Sequence, residues 1–265
     1  MNPFTILSEG CISDIVSFTT PADAVRSSVI SKEFKSAAES DIVWDKFLPS
    51  DHQDIVSRSV YLIVFYSKKD LYFRLCESPI LLDEGRLSFW LDKTNGKKCY
   101  LLSARQLTIS FSDTQLFWEH TSDADSRFPE VAFLNGVDLL DIRGKIGTRA
   151  LSTRTNYAAY LVFKISERYH GLESTNAMVR FVNQQSEDEA EERATVVILA
   201  ARAPRHLKGR LPEKRTDGWL EVEIGNFYNG GSSNDNGDVE ARLLDSRPSH
   251  AKSGLIIEGV EFRPI

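Results

Sequence analysis

The chain has 265 residues, 32 Lys and Arg against 38 Asp and Glu, and a formal net charge of −6. That length suits one large domain with a smaller one, and the apolar and charged fractions are those of a globular protein. The acidic balance argues against a general nucleic-acid footprint or a surface held to anionic lipid by charge, and no apolar run reaches the eighteen or so residues of a membrane span.

The first fifty residues read as short helices. Cys11, Ile12, Ile15 and Val16 recur at helical spacing behind Ser8, an N-cap candidate. Thr20-Pro21-Ala22-Asp23 is a second start signal, with a capping hydroxyl, a proline at the first position and a carboxylate three residues on. Ser31 and Ser40 open two further helices carrying Phe34, Ala37 and Ala38, then Val43, Trp44 and Phe47. A unit this small is marginal alone and has more apolar surface than it can hide, which suggests a partner.

The order Leu7…Cys11-Ile12…Ile15…Phe18…Pro21-Ala22-Asp23…Val29…Phe34…Val43-Trp44…Phe47 resembles an F-box. That resemblance implies docking on the Skp-type adaptor of a cullin–RING ubiquitin ligase, through Leu7, Cys11, Ile12, Ile15, Pro21, Val29, Phe34, Trp44 and Phe47. Ser8 stands where the family usually has proline, which implies weaker docking.

Residues 50 to 96 read as a packed connector, too rich in large apolar residues to be solvated. Val60-Tyr61-Leu62-Ile63-Val64-Phe65-Tyr66 fits either a buried strand or the core of a helix. Lys68 to Cys76 reads as one helix, ended by Ser78-Pro79. From Lys97 the pattern turns extended. Ten candidate strands fall between Tyr100 and Phe262, with Gly259 marking a bulge in the last. The acidic run Glu187 to Glu192 reads as a solvated loop. The basic run of Arg202, Arg205, His206, Lys208, Arg210, Lys214 and Arg215 reads as a surface loop, with a nuclear address or anion contact as the less favoured readings.

Blocks in this half resemble the phloem protein 2 lectins, the family of the Nicotiana agglutinin. They include Leu102-Ser103-Ala104-Arg105, Ile109-Ser110-Phe111 with Phe117-Trp118, Arg127-Phe128-Pro129-Glu130, Asp217-Gly218-Trp219 to Tyr228, and Gly254 to Pro264. The fold class expected is therefore α+β and multidomain: a three-helix F-box over 1–49, a mixed connector over 50–96, and a jelly-roll-like antiparallel β-sandwich lectin over 97–265. The resemblance implies a sugar site at Phe111, Trp118, Phe227, Asp238 and Asp245, for N-acetylglucosamine oligomers or N-glycan cores. Phe111 replaces the family's tryptophan, and Asp238 and Asp245 replace glutamates, which implies weakened or redirected binding. Trp219 and Phe262 are assigned to the core.

Cys11, Cys76 and Cys99 lack metal spacing, and Cys11 reads as a small buried hydrophobe. With no secretory signal or Asn-x-Ser/Thr acceptor in view, the expected location is cytoplasm and nucleus. Neither a catalytic constellation nor a metal or cofactor motif is found, so the reading is a non-catalytic substrate-recognition subunit of an SCF-type ligase. Its expected partners are the adaptor–cullin complex and a glycan or glycoprotein, with no nucleic acid and no membrane. A free lectin and a protein-only receptor with a decayed sugar pocket are the alternatives.

Overall fold

The structure is a computed structural model and describes residues 7–200, 208–231, 237–247 and 251–265. The chain divides into two compact units, one of Met1–Glu84 and Phe89–Lys98, the other of Gly85–Ser88 and Cys99–Ile265.

The first unit begins with four short helices, α1 (Glu9–Ser17), α2 (Pro21–Ser27), α3 (Lys32–Glu39) and α4 (Asp41–Phe47), one for each start marked in the sequence and one more than the three-helix F-box implies. Each start is capped as the sequence dictates. Side-chain oxygens of Ser8, Thr20, Ser31 and Ser40 accept from the main-chain N–H of Cys11, Asp23, Phe34 and Ile42. Two more helices, α5 (His52–Ser57) and α6 (Lys68–Glu77), follow, with Ser67 capping α6. Trp44 centres the core. It is fully buried, its Nε1 donates to Ala38 O at 2.7 Å, and its ring lies 5.2–5.5 Å from Phe47, Tyr72 and Phe73.

Strand β1 (Ile80–Leu82) follows α6, and β2 (Leu87–Leu91) lies across the division of the chain. Ser59 bridges to Leu82 and Val60 N–H donates to Leu81 O, so the chain after α5 starts to pair with β1. The same register would set Leu62 opposite Pro79, which has no N–H to give, and the pairing stops. Val60–Tyr66 is thus neither a buried strand nor a helix core; it runs without regular structure, and six of its seven residues are exposed.

The second unit carries β3 (Lys98–Ser103), β4 (Thr108–Ile109), β5 (Trp118–Thr121), β6 (Val131–Leu134), β7 (Leu140–Gly147), β8 (Thr155–His170) and β9 (Thr175–Phe181). After helix α7 (Glu187–Glu192) come β10 (Thr195–Val197), β11 (Glu213–Lys214), β12 (Leu220–Asn229), β13 (Asp238–Asp245) and β14 (Ser253–Pro264). One sheet runs β3-β14-β8-β12-β11, with β6 also on β14 and β5 on β6; the other runs β10-β9-β13-β7-β4.

This corrects the jelly-roll expectation. Among the described residues neither sheet is closed into a barrel or curled; each is an open ladder. The edge strands β11 and β4 have two residues each, too short to carry a closing ladder. The named ladders are antiparallel, and one isolated parallel bridge joins Val197 to Arg210.

Gly259 does mark a register shift, between Ile257 and Gly259 on β8. A Cβ there would stand 1.9 Å from Leu102 O, so the approach of β3 requires glycine. The core holds Trp219, Tyr157, Phe163 and Phe262, all fully buried.

Glu187–Glu192 is a helix, not the solvated loop expected. Ser186 and Glu189 form a reciprocal capping box, and the acidic side chains meet arginines of the sheet beneath. Glu187 pairs with Arg143 at 2.7 Å and Glu191 with Arg242 at 2.6 Å. Asp141 binds both arginines; burial would raise its pKa, but their hydrogen bonds outweigh it and hold the carboxyl below its ordinary range.

Candidate functional site

Two surfaces invite ligands, one in each unit. In the helical unit, capping places polar groups at helix starts and leaves apolar side chains at the ends. Phe18, just after α1, is 90% exposed and Val29, just after α2, is 87% exposed. Leu7, Ile15, Val25, Ile30 and Ile42 are also exposed.

The predicted adaptor contacts divide accordingly. Leu7, Cys11, Ile15 and Val29 are exposed, and Pro21 and Phe47 are half-buried. Ile12, Phe34 and Trp44 lie in the core of the unit. Cys11 is not the buried hydrophobe expected; its Sγ accepts from Ser8 Oγ at 3.2 Å. Phe18, Val25, Ile30 and Ile42, exposed at helix ends or on helix faces, stand outside the predicted set although Phe18 belongs to the F-box order.

In the second unit, a cavity of about 670 Å³ opens beside β5, lined by Arg105, Asp113, Trp118, Glu119, His120 and Glu130 with Ser112 and Gln115. The turns from Ser110 to Phe117 shape its rim: Ser112 N–H donates to Ile109 O, Thr114 N–H to Phe111 O and Phe117 N–H to Thr114 O. Phe111 sits there with φ +65°, a left-handed conformation costly for a bulky residue, and its exposed ring lies 5.6 Å from Phe117.

Arg105 Nε donates to Glu130 Oε2 at 2.8 Å. His120 Nδ1 is buried with no hydrogen-bond partner. Burial, aided by the Arg105 charge, lowers the His120 pKa and favours the neutral ring. With His120 among them, the Glu119 and Glu130 carboxylates and Arg105 give the cavity acceptors and donors suited to a polyhydroxylic ligand.

Of the other predicted sugar residues, Trp118 reaches the cavity, and Phe227, Asp238 and Asp245 are not gathered there. Trp118 lines the cavity but is only 1% exposed, and its Nε1 donates to Ser110 O at 3.2 Å, so its face is closed to stacking. Phe227 is buried, stacked on Tyr157 at 5.8 Å. Asp238 and Asp245 are the two ends of β13, about 24 Å apart at the rise of an extended chain. Asp238 is exposed. Asp245 is buried and engaged: Arg247 Nη2 donates to it at 2.6 Å and Lys252 Nζ stands 3.6 Å away. Burial pushes its pKa up, and the Arg247 hydrogen bonds more than reverse that.

The sequence singled out Trp118 but not Arg105, His120 or Glu130. Arg105 and Glu130 were within reach, since both stand in the matched blocks; His120 carries no such signal.

Of the basic run, Arg202, Arg205 and His206 lie outside the described residues. Arg215 pairs with Glu221 and Glu261 at 2.6 and 2.9 Å, and Arg210 Nη1 donates to Ile224 O at 3.0 Å, so these two brace the sheet. Among the described residues, no group of three or more His, Cys, Asp or Glu is placed to hold a metal ion. No helix there is long and apolar enough to cross a membrane.

Residues 97–264 match the family model of phloem protein 2. Across 99% of its length the chain is 42% identical to the Arabidopsis thaliana F-box protein PP2-B10, covering 94% of that protein. It is 39% identical to the Arabidopsis F-box protein PP2-B15 over 98% of this chain and 96% of that one. To the Arabidopsis F-box protein SKIP3 it is 39% identical, over 97% and 87%. A solved Podospora anserina GH26-CBM35 β-(1,4)-mannanase superposes with a TM-score of 0.37 and 9% identity, over 63% of this chain and 28% of that one, a likeness too small to establish a shared fold.

Proposed function

The chain belongs to the F-box proteins of phloem protein 2 type, non-catalytic adaptors, and from that premise we propose that it recruits substrates to an SCF-type ubiquitin ligase. The helical unit docks on a Skp-type adaptor held by the cullin. The second unit takes a glycan or glycoprotein at the cavity beside β5. Having both surfaces on one chain raises the effective concentration of bound target near the conjugating enzyme.

The observation that carries the ligase half is the set of exposed apolar side chains on the helical unit, Ile15, Phe18 and Val29 among them, left open by helices that otherwise pack well. Its test is co-purification of the full chain with the adaptor. Ile15→Asp combined with Val29→Asp should abolish capture while leaving the far-ultraviolet circular dichroism unchanged. Capture that survives both charges rejects this face as the docking surface. Ile12→Asp and Trp44→Ala are unsuited to the purpose, because both residues hold the unit together.

The glycan half is supported by the cavity, its polar lining of Arg105, Glu119, His120 and Glu130, and the exposed Phe111 ring. On a glycan array, the full chain should bind amino-sugar-bearing glycans. Phe111→Ala should weaken that binding about two- to tenfold, the scale of an aromatic contact. A folded chain silent on every glycan leaves the protein-only receptor, a reading favoured by the closed face of Trp118 and the engagement of Asp245. The proposed location is cytoplasm and nucleus, supported by three free thiols; imaging of a fluorescent fusion tests it.

A further inference from the structure

The cavity beside β5 is unbalanced in charge. Its ionisable lining is Arg105, Asp113, Glu119, His120 and Glu130: three carboxylates, one guanidinium and one imidazole. The guanidinium is already engaged. Arg105 Nε and Nη2 reach the same Oε2 of Glu130, at 2.8 and 2.7 Å. Burial first, and then the Arg105 charge, favour the neutral His120 ring. Asp113 and Glu119 are left over. Both are exposed, and neither forms an ion pair with a described residue. At the rim, the turns over 110–117 hold Phe111 in its left-handed conformation with the ring exposed. One site thus offers two unmatched negative charges and a flat apolar surface.

Resting on the reading of the second unit as glycan-binding, we propose that this site selects sugars with a free, protonated amine, such as glucosamine oligomers, over N-acetylated and acidic ones. An ammonium brings the missing positive charge and three N–H donors, as on lysine. The carboxylates accept these as charge-assisted hydrogen bonds. Acetylation removes the charge and leaves one donor. A carboxylated or sulfated sugar carries like charge toward Asp113 and Glu119 and is repelled. A basic peptide also supplies positive charge, but it fits less well. Its lysine ammonium rides on a flexible stem whose rotamers must be frozen on binding. In a sugar the amine is fixed to a ring whose C–H face can lie on Phe111 at the same time, so one rigid group meets both features.

The test is titration calorimetry of the full chain with glucosamine tetramer, its N-acetylated form, galacturonate tetramer and tetralysine at neutral pH. An exposed ion pair is worth a factor of about two to five, so Asp113 and Glu119 together should favour the free amine over the acetamide on the order of tenfold. Galacturonate should bind most weakly. Added salt should weaken the free amine and spare the acetamide. Asp113→Asn combined with Glu119→Gln, both near-isosteric and exposed, should bring the ratio of amine to acetamide close to one, with the uncharged tetramer bound nearly as before. Phe111→Ala should weaken both tetramers alike and keep their ratio, because the ring meets the sugar face and not its charge. An acetamide bound as tightly as the amine overturns the proposal and leaves the glycan reading standing, whereas silence toward every sugar overturns both. A preference that survives the double substitution puts the amine elsewhere on an acidic chain and overturns it. Tetralysine bound as tightly as the glucosamine tetramer makes the site a reader of basic peptides and overturns it too.

Discussion

The two units err in opposite directions from the rule that apolar groups go in and charges stay out. The helical unit leaves Phe18, Val29, Leu62 and Tyr66 in water. The second unit buries Lys252, Glu258, Glu261, Glu240 and Arg242. Size accounts for much of the difference. A short bundle has too little interior for its apolar residues, whereas a larger body of two sheets can enclose charges provided each finds a partner. Surface left open in a unit that cannot close on itself marks where something else belongs; charge enclosed in a unit that can marks internal bracing.

The sharpest break of that contrast is Trp44→Ala. It removes an indole packed against three rings and its hydrogen bond to Ala38 O, and should cost about 3–5 kcal/mol in urea unfolding followed by helix signal. A cost below about 1 kcal/mol would mean the bundle has no real interior. Lys252→Met comes next. Lys252 Nζ donates to Asp138 O at 2.5 Å and Arg247 O at 2.9 Å beside Asp245, so its loss strands two carbonyls and a carboxylate, at about 3 kcal/mol.

Glu258→Gln should act the other way. Burial raises the Glu258 pKa, and its Oε2 has no hydrogen-bond partner. At neutral pH folding must therefore bury the charge or hold a proton, and glutamine removes that cost, a gain on the order of 1 kcal/mol. The gain should fade below about pH 4.3, where the unfolded glutamate is protonated too. Asp141 and Asp245 have lowered pKa values, so their stabilisation is present above the ordinary carboxylate range and is lost as acid protonates them. Thermal melts across that range would show the two signs separately. Smallest is Val29→Ser, expected within about 0.5 kcal/mol of the parent in stability. A large loss there would mean that the open face carries structural weight.

What the sequence disclosed follows from the range of the forces involved. Ser8, Thr20, Ser31 and Ser40 were legible as caps because a hydroxyl binds an N–H two or three residues away. The same logic should have found α7, since Ser186 and Glu189 stand at capping-box spacing; the acidic run distracted from it. Val60–Tyr66 was illegible because composition says what a strand is made of, not whether a neighbour is present to pair with it. Asp238 and Asp245 were grouped by resemblance, although seven steps along one extended strand hold them apart. The lining of the cavity depended on Arg105, His120 and Glu130 converging from separate segments, which no local pattern reports.

The place of β14 between β3 and β8 has a consequence for biogenesis. It follows every other strand of that sheet in sequence, so a ribosome delivers both flanks before the middle that joins them. Until then β3 and β8 emerge with their inner edges bare, and the sheet forms only through contacts distant in sequence. Nascent chains of this protein should therefore need shielding until synthesis passes Pro264, and a stop codon just before Ser253 should yield a product that is cleared rather than a shorter folded one.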